Sequence, residues 1–299
     1  MFLVTLIVFG LLLIVPGDPV SVVLGDRATP ELIAATRDRL GLDDPVPLRY
    51  LRWVGKALRG DLGTSLFNSY PVTKAILDRL PITVSLVGLS LLLTVVTGIP
   101  LGVIAGARAG SWIDRLLTIG ASAGVAMPNF WLGLVLVLVF GLLLGWFPAT
   151  GYTSLTEDVG GWLRHLILPA ATLAAASAAE LVRQTRAAMI DVLEQDYIRT
   201  ARGKGLGGYD VLIRHALRNA MVPIVTVAGL TVSRTFGLSV IVEQIFDMKG
   251  VGSLAVRAVF DRDIPMIQGI VLFTTTVVLL TNLIVDLSYT YFDPRTRVV

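Results

Sequence analysis

An all-α integral membrane fold with six spanning helices is what the sequence predicts, on three observations. Hydrophobic residues make up 54% of the chain and charged residues 16%, with a mean hydropathy of +0.76. That is more apolar surface than an ordinary soluble fold of this length carries. The apolar residues gather into windows near the roughly 20 residues that cross a bilayer. The basic residues fall unequally into the loops between those windows, which is how membrane helices acquire an orientation.

Composition also excludes other classes. A net charge of +3 and a pI of 9.3 would suit nucleic acid only if the basic residues shared one solvated face. Here they alternate with apolar spans, so no nucleic-acid partner is expected. Cysteine is absent, which removes disulfides, thiolate metal sites and cysteine nucleophiles, and only His165 and His215 remain as soft ligands. No metal site is expected.

The first span, 1–15, is short and has no basic flank before it. A signal-peptide core is the competing reading, but the VPGDPVSVV that follows lacks a small-residue cleavage pattern, so a helix whose natural start lies upstream is expected. An insert then leads to the second span. Thr29 as cap and Pro30 at the first helical position open a helix that LIAATRDRL continues. Leu48, Leu51, Val54 and Leu58 recur at helical spacing between Arg49, Arg52, Lys56 and Arg59, which predicts a second helix over 48–58. The pair reads either as an amphipathic cap on the outer surface or as interfacial anchors.

The second span covers 82–107, with Gly88, Gly98 and Gly102 read as close helix packing. The third, 116–147, is long enough to tilt or to break at Pro128 and Asn129. The fourth, 166–182, is alanine-rich; the fifth and sixth cover 221–242 and 264–287. Loops after the even spans hold Arg108 and Arg115, then Arg183, Arg186, Arg199, Arg202, Lys204, Arg214 and Arg218, then Arg295 and Arg297. Those after the third and fifth hold only Arg164, Lys249, Arg257 and Arg262. The even side is therefore cytoplasmic, and both termini with it.

Catalytic signatures are missing: there is no HExxH, no GxSxG and no pair of in-span aspartates. Gly203, Gly205 and Gly208 satisfy GxGxxG, but no strand precedes them and no βαβ unit surrounds them. No GxxxxGK[ST] occurs, so the chain has no phosphate-cradling loop of that kind, and work against a gradient would draw its energy from another subunit.

The polar stretch DYIRTARGKGLGGYDVLIRHALRNA, 196–220, interrupts two apolar runs. A short helix over 197–204, a turn at Gly205 and the Gly207-Gly208 pair, and a second helix over 211–220 are predicted. Leu212, Ala216 and Ala220, with Val211 and Ile213, give the second helix an apolar side that Arg214 and Arg218 flank. Such a unit suits transmission of movement from a docked partner; a basic loop touching phospholipid headgroups is the plainer alternative.

QDYIRTARGKGL and IRHALRNAMVP closely resemble the cytoplasmic loop of permease subunits in the dipeptide, oligopeptide and nickel branch of binding-protein-dependent ABC importers. The family's EAA pattern falls on Arg199-Thr200-Ala201, Gly205, His215 and Leu217-Arg218. Arg199 replaces Glu, Thr200 replaces Ala, His215 replaces Ile and Arg218 replaces Pro, as in the peptide branch's own variant. VPGDP at 15–19, GLDDPVPLRYLRW, GDLGTSL, MPNFWLG, FPATGY, HLILPA, VEQIFDMKGVG and DPRTR at 293–297 fit in the same order. The resemblance implies a coupling helix seated in an ATPase subunit, with Arg199, Thr200, Ala201, Lys204, Gly205, Leu206, His215, Leu217 and Arg218 as its residues. It also implies a bacterial inner-membrane permease for peptides, a second homologous permease, two ATPase subunits holding ATP and Mg, and an extracytoplasmic substrate-binding protein. The domains are then 1–80 for the first span and insert, 81–290 for the permease with its coupling loop at 190–220, and 291–299 for a tail. Uptake of nickel or another small solute is the alternative, and an ATP-independent secondary transporter is a further one.

Five in-span or near-span charges complete the reading. Glu180 and Arg183, three apart on one helix, are expected to pair with each other. Arg234 lies mid-span, where it either lines the translocation route and attracts a peptide carboxylate or meets a structural partner such as Glu243 or a neighbouring subunit. Glu243 and Gln244, with Gly250 and Gly252, are expected just outside the fifth span, a position that the family resemblance implies is near an external gate, against a plain end-of-helix turn. Asp286 is expected to cap or pair at the inner end of the sixth.

Overall fold

The computed structural model describes residues 2–14, 29–31, 34, 37 and 43–292, and the side chains of these except 2, 11–14, 285, 286 and 288–292. VPGDP, most of the expected first insert helix, the Asp286 side chain and DPRTR lie outside the described residues. The elements are α1 (Phe2–Ile14), α2 (Val46–Ala57), α3 (Val72–Ala107), α4 (Trp112–Ala126), α5 (Asn129–Leu143), α6 (Val159–Leu193), α7 (Asp196–Gly203), α8 (Gly208–Ile245), α9 (Val251–Phe260) and α10 (Ile264–Phe292). Residues 30, 31, 34 and 37 are also helical, in keeping with a start at Thr29 and Pro30. Among the described residues no strand forms beyond one antiparallel bridge, Thr64 with Pro71.

Among the described residues four helices, α3, α6, α8 and α10, are long and apolar enough to span, and α4 with α5 makes a fifth if the bent pair is one crossing. The pair bends by 103° at the break expected at Pro128 and Asn129. Pro128 sits immediately before α5, where its missing N–H leaves no helical bond unmade. The 13 described residues of α1 reach about 20 Å. The alanine-rich segment extends well past 166–182 in both directions, from Val159, where the Asp158 carboxylate accepts from the Gly160 and Gly161 N–H groups, to Leu193.

Its small side chains also admit a close neighbour. Gly98, Gly102 and Gly106 on α3 face α6 so tightly that an added Cβ would lie 2.9 Å from Leu181, 2.4 Å from Thr185 and 2.6 Å from Met189. Gly88 belongs to a different face, since ten residues is not a whole number of turns. A Cβ there meets nothing within 4 Å, so the packing role expected of it passes to Gly106.

The chain divides into two compact units, 1–81 with 249–278 and 82–248 with 279–299. In the first, α2 lies on α1: the Phe9 ring meets Tyr50 edge-on at 5.5 Å and Trp53 at 6.1 Å, and the Thr5 and Tyr50 hydroxyls are 2.8 Å apart. Leu51 and Leu58 remain exposed. Val72, Ala75 and Ile76 form a core with Val251, Leu254, Ala258, Met266 and Ile270. The GDLGTSL turn, with Gly60 and Gly63 at positive φ, is fastened by buried Asp263, which accepts from Ser65 Oγ and from the Leu66 N–H at 3.3 Å. In the second unit Leu86, Leu166, Leu173, Val242, Phe246 and Met248 form one core.

Candidate functional site: a basic helical turn and three buried or intramembrane carboxylates

The basic stretch starts with α7, whose Ile198 and Ala201 turn inward while Arg199, Thr200 and Arg202 face out. Gly205 closes the helix at φ +81. Its N–H donates to the Arg202 carbonyl at 2.9 Å and the Leu206 N–H to the Ala201 carbonyl at 3.3 Å, the crossed pair of bonds that a left-handed residue allows at a helix end. Gly207 and Gly208, expected to share this turn, do not. Gly207 is extended and Gly208 already belongs to α8, because one left-handed residue is enough to reverse the chain.

The expected helix 211–220 and span 221–242 are one helix. Its residues 211–217 follow the wide i→i+5 pattern, and Asn219 Nδ2 donates to the His215 carbonyl at 2.6 Å. Val211, Ala216 and Ala220 join Ile198 and Ala201 against Val103 of α3 and Leu181, Ala188 and Met189 of α6. The apolar side of the stretch is thus consumed within the chain. Facing out are Arg199, Thr200, Lys204, Gly205, Leu206, Arg214 and Arg218, with Tyr209 at 74% exposure; His215 and Leu217 are half-buried. Ion pairs Arg199–Asp196 at 3.3 Å and Arg214–Asp210 at 3.2 Å lie in the open, where they contribute little to stability.

The intramembrane charges pair differently from expectation. Glu180 of α6 accepts from Arg234 Nη1 of α8 at 3.1 Å, so neither the Glu180–Arg183 nor the Arg234–Glu243 pairing forms. Arg183, one turn further along α6, is exposed, and its long side chain can carry the charge to water without a partner. Side-chain exposures of 64% for Arg234 and 46% for Glu180 leave this pair on an open face of the chain.

Glu243 is wholly buried and accepts from Thr83 Oγ1 of α3 at 2.7 Å. It lies inside the last turn of α8, which runs to Ile245, and not beyond the span. Gln244 beside it is exposed, so the two do not share a surface.

One cluster escaped sequence reading. Asp114, 4% exposed at the start of α4, takes Arg186 of α6 on both oxygens, with Nη2 to Oδ2 at 2.8 Å. The Gly110 N–H donates to it at 2.9 Å and Thr118 Oγ1 at 3.3 Å, while Ser111 Oγ caps the Asp114 N–H. The Ser-x-x-Asp spacing before an apolar run was the available signal; nothing local points to Arg186.

Known proteins resemble this chain along its whole length. The family model described as binding-protein-dependent transport system inner membrane component matches residues 98–298, and its N-terminal companion matches 1–87. The oligopeptide transport system permease protein AppB of Bacillus subtilis is 41% identical over 295 residues, covering 98% of this chain and 93% of AppB. The di/tripeptide transport system permease protein DppB of Pseudomonas aeruginosa is 39% identical over 317 residues, covering 99% and 94%. Among solved structures, an inward-facing MetNI methionine ABC transporter chain superposes with a TM-score of 0.60 at 15% identity, over 73% of this chain and 96% of that one. At that identity the likeness speaks for the fold.

Proposed function

The chain belongs to the inner membrane components of binding-protein-dependent transport systems and is an ABC importer permease, and from that premise we propose that its cargo is a peptide moved by alternating access. The observation that carries the cargo is the end-to-end match to AppB and DppB, which are named for oligopeptides and for di- and tripeptides. ATP hydrolysis belongs to two partner ATPase subunits that hold ATP and Mg, since no GxxxxGK[ST] is present here. A second homologous permease and an extracytoplasmic binding protein complete the assembly, seated in the lipid of a bacterial inner membrane with both termini cytoplasmic.

In this reading residues 81–290 are the permease domain and 190–220 its coupling loop. Arg199, Thr200, Lys204, Gly205, Leu206, His215, Leu217 and Arg218 meet the ATPase, and buried Ala201 anchors the turn that presents them. Closure of the ATPase pair moves this surface, and α8, unbroken from Gly208 to Ile245, carries the displacement into the bilayer. Arg234 lines the route; Gln244 stands at the outer gate, and Glu243 holds that end of α8 to α3.

Two measurements test this. Cysteines at Lys204 and Leu206 should crosslink to the ATPase subunit, with yields that change with nucleotide; a transporting complex that never crosslinks at either position sinks the coupling assignment. Uptake of labelled di-, tri- and pentapeptides should require the full set of subunits, and accumulation of a nickel chelate in place of peptide would refute the cargo.

A further inference from the structure

We propose that Glu180 and Arg234 form an exchangeable pair that opens to bind the two charged ends of a zwitterionic peptide, the carboxylate on Arg234 and the ammonium on Glu180. The inference rests on the peptide reading above and adds a binding site to it. Arg234 is the sole charged residue between Arg218 and Glu243, and Glu180 the sole one between Arg164 and Arg183. Both therefore stand within apolar runs. From Arg234 to the end of α8 at Ile245 is about 16 Å, roughly half the hydrocarbon thickness a bilayer helix crosses, while Glu180 stands one turn short of the exposed Arg183.

Two ion pairs of the second unit differ in how far they are satisfied. Asp114 uses both oxygens and collects donors from Arg186, Gly110 and Thr118. Between Arg234 and Glu180 there is a single hydrogen bond at 3.1 Å, and among the described residues neither side chain makes another. A guanidinium has five N–H donors and a carboxylate two accepting oxygens, so most of that capacity is uncommitted. Facing lipid, such a pair would be costly, so its open face must meet a wet cavity, another subunit or cargo.

A zwitterion matches the two groups with no charge left over. Its carboxylate takes the place of Glu180 on the guanidinium, and its ammonium takes the place of Arg234 on the carboxylate, so each of the four charges keeps an opposite partner through the exchange. A structural tie would favour a saturated, buried pair like Asp114 with Arg186. A receptor needs a weak and accessible one.

The test uses the complete assembly in proteoliposomes, with a radiolabelled tripeptide and its C-terminal amide. Arg234→Gln and Glu180→Gln should each lower transport of the free-terminus tripeptide by about tenfold or more, the loss expected when a charged hydrogen bond to cargo is removed. Arg234→Gln should slow the free acid more than the amide. The ATPase subunits should still co-purify. Glu180→Leu combined with Arg234→Met replaces the ion pair by an apolar contact, which would serve a structural tie but offers nothing to a zwitterion, and transport should stay low. Recovery by that double variant, unchanged transport in either single variant, an equal loss for acid and amide, or failure of the subunits to co-purify would each make the pair a structural contact and overturn the proposal. A wild-type assembly that moves no peptide at all refutes the cargo reading itself, a result distinct from these.

Discussion

Asp114 and Arg186, 72 positions apart, meet through two parallel hydrogen bonds that tie the first turn of α4 to α6. The fork geometry uses both carboxylate oxygens, and the Gly110 amide and Thr118 hydroxyl supply further donors. Asp114→Ala should therefore destabilise the protein by about 2–4 kcal/mol, seen as a lower unfolding temperature in detergent. Arg186→Lys keeps the charge and loses the fork, so its fall should be smaller but present. Equal stability of Asp114→Ala and wild type would contradict the assignment.

The glycine face of α3 makes a sharper prediction. Gly102→Val would drive its side chain into Thr185 Cβ, 2.4 Å from the position of a Cβ, and the Val182 carbonyl, 2.8 Å away. The helices must part, and membrane abundance should collapse. Gly88→Ala, with nothing in its way, should accumulate normally.

Gly205 offers a test of conformation alone, since a Cβ there meets no neighbour and only its φ of +81 resists substitution. Gly205→Ala should cost about 1–2 kcal/mol and loosen the end of α7, whereas Gly205→Asn should cost less, because asparagine tolerates the left-handed region. In the assembled transporter the alanine variant should lower the yield of Leu206 crosslinks to the ATPase more than the asparagine variant does.

Thr83 and Glu243 predict a hydroxyl dependence. Thr83→Val is nearly isosteric but withdraws a donor from a buried carboxylate, at a cost of about 1–3 kcal/mol, while Thr83→Ser retains it. Thermal stability in detergent should rank wild type near serine and both above valine; a valine variant as stable as the serine variant would show that the bond contributes nothing.

How much of this was legible in the sequence depends on the range of the interaction. Pro128 marks the bend in α4–α5 and Gly205 the end of α7 because proline and glycine act on their own φ and hydrogen bonds. Leu48 and Leu51 announce α2 through spacing alone, and the family was readable from the order of its motifs along the chain. What sequence could not supply was partner choice across helices. Glu180 has Arg183 three residues away, yet the neighbouring helix delivers Arg234, and Glu243 takes its donor from Thr83, 160 positions distant. The extent of α8 was hidden for the opposite reason: the polarity change at Arg218 looks like a boundary, but the backbone bonds continue through it.

That continuity gives α8 a mechanical advantage. Its 38 residues make a rod about 57 Å long. A rotation of about 5° pivoting on the Gly208 end sweeps the Ile245 end through about 5 Å, close to one helical pitch. In the proposed transport cycle, an input smaller than a side chain at one extremity would become an aperture-sized stroke at the other, provided the wide-turn stretch at 211–217 and Pro223 hold their geometry.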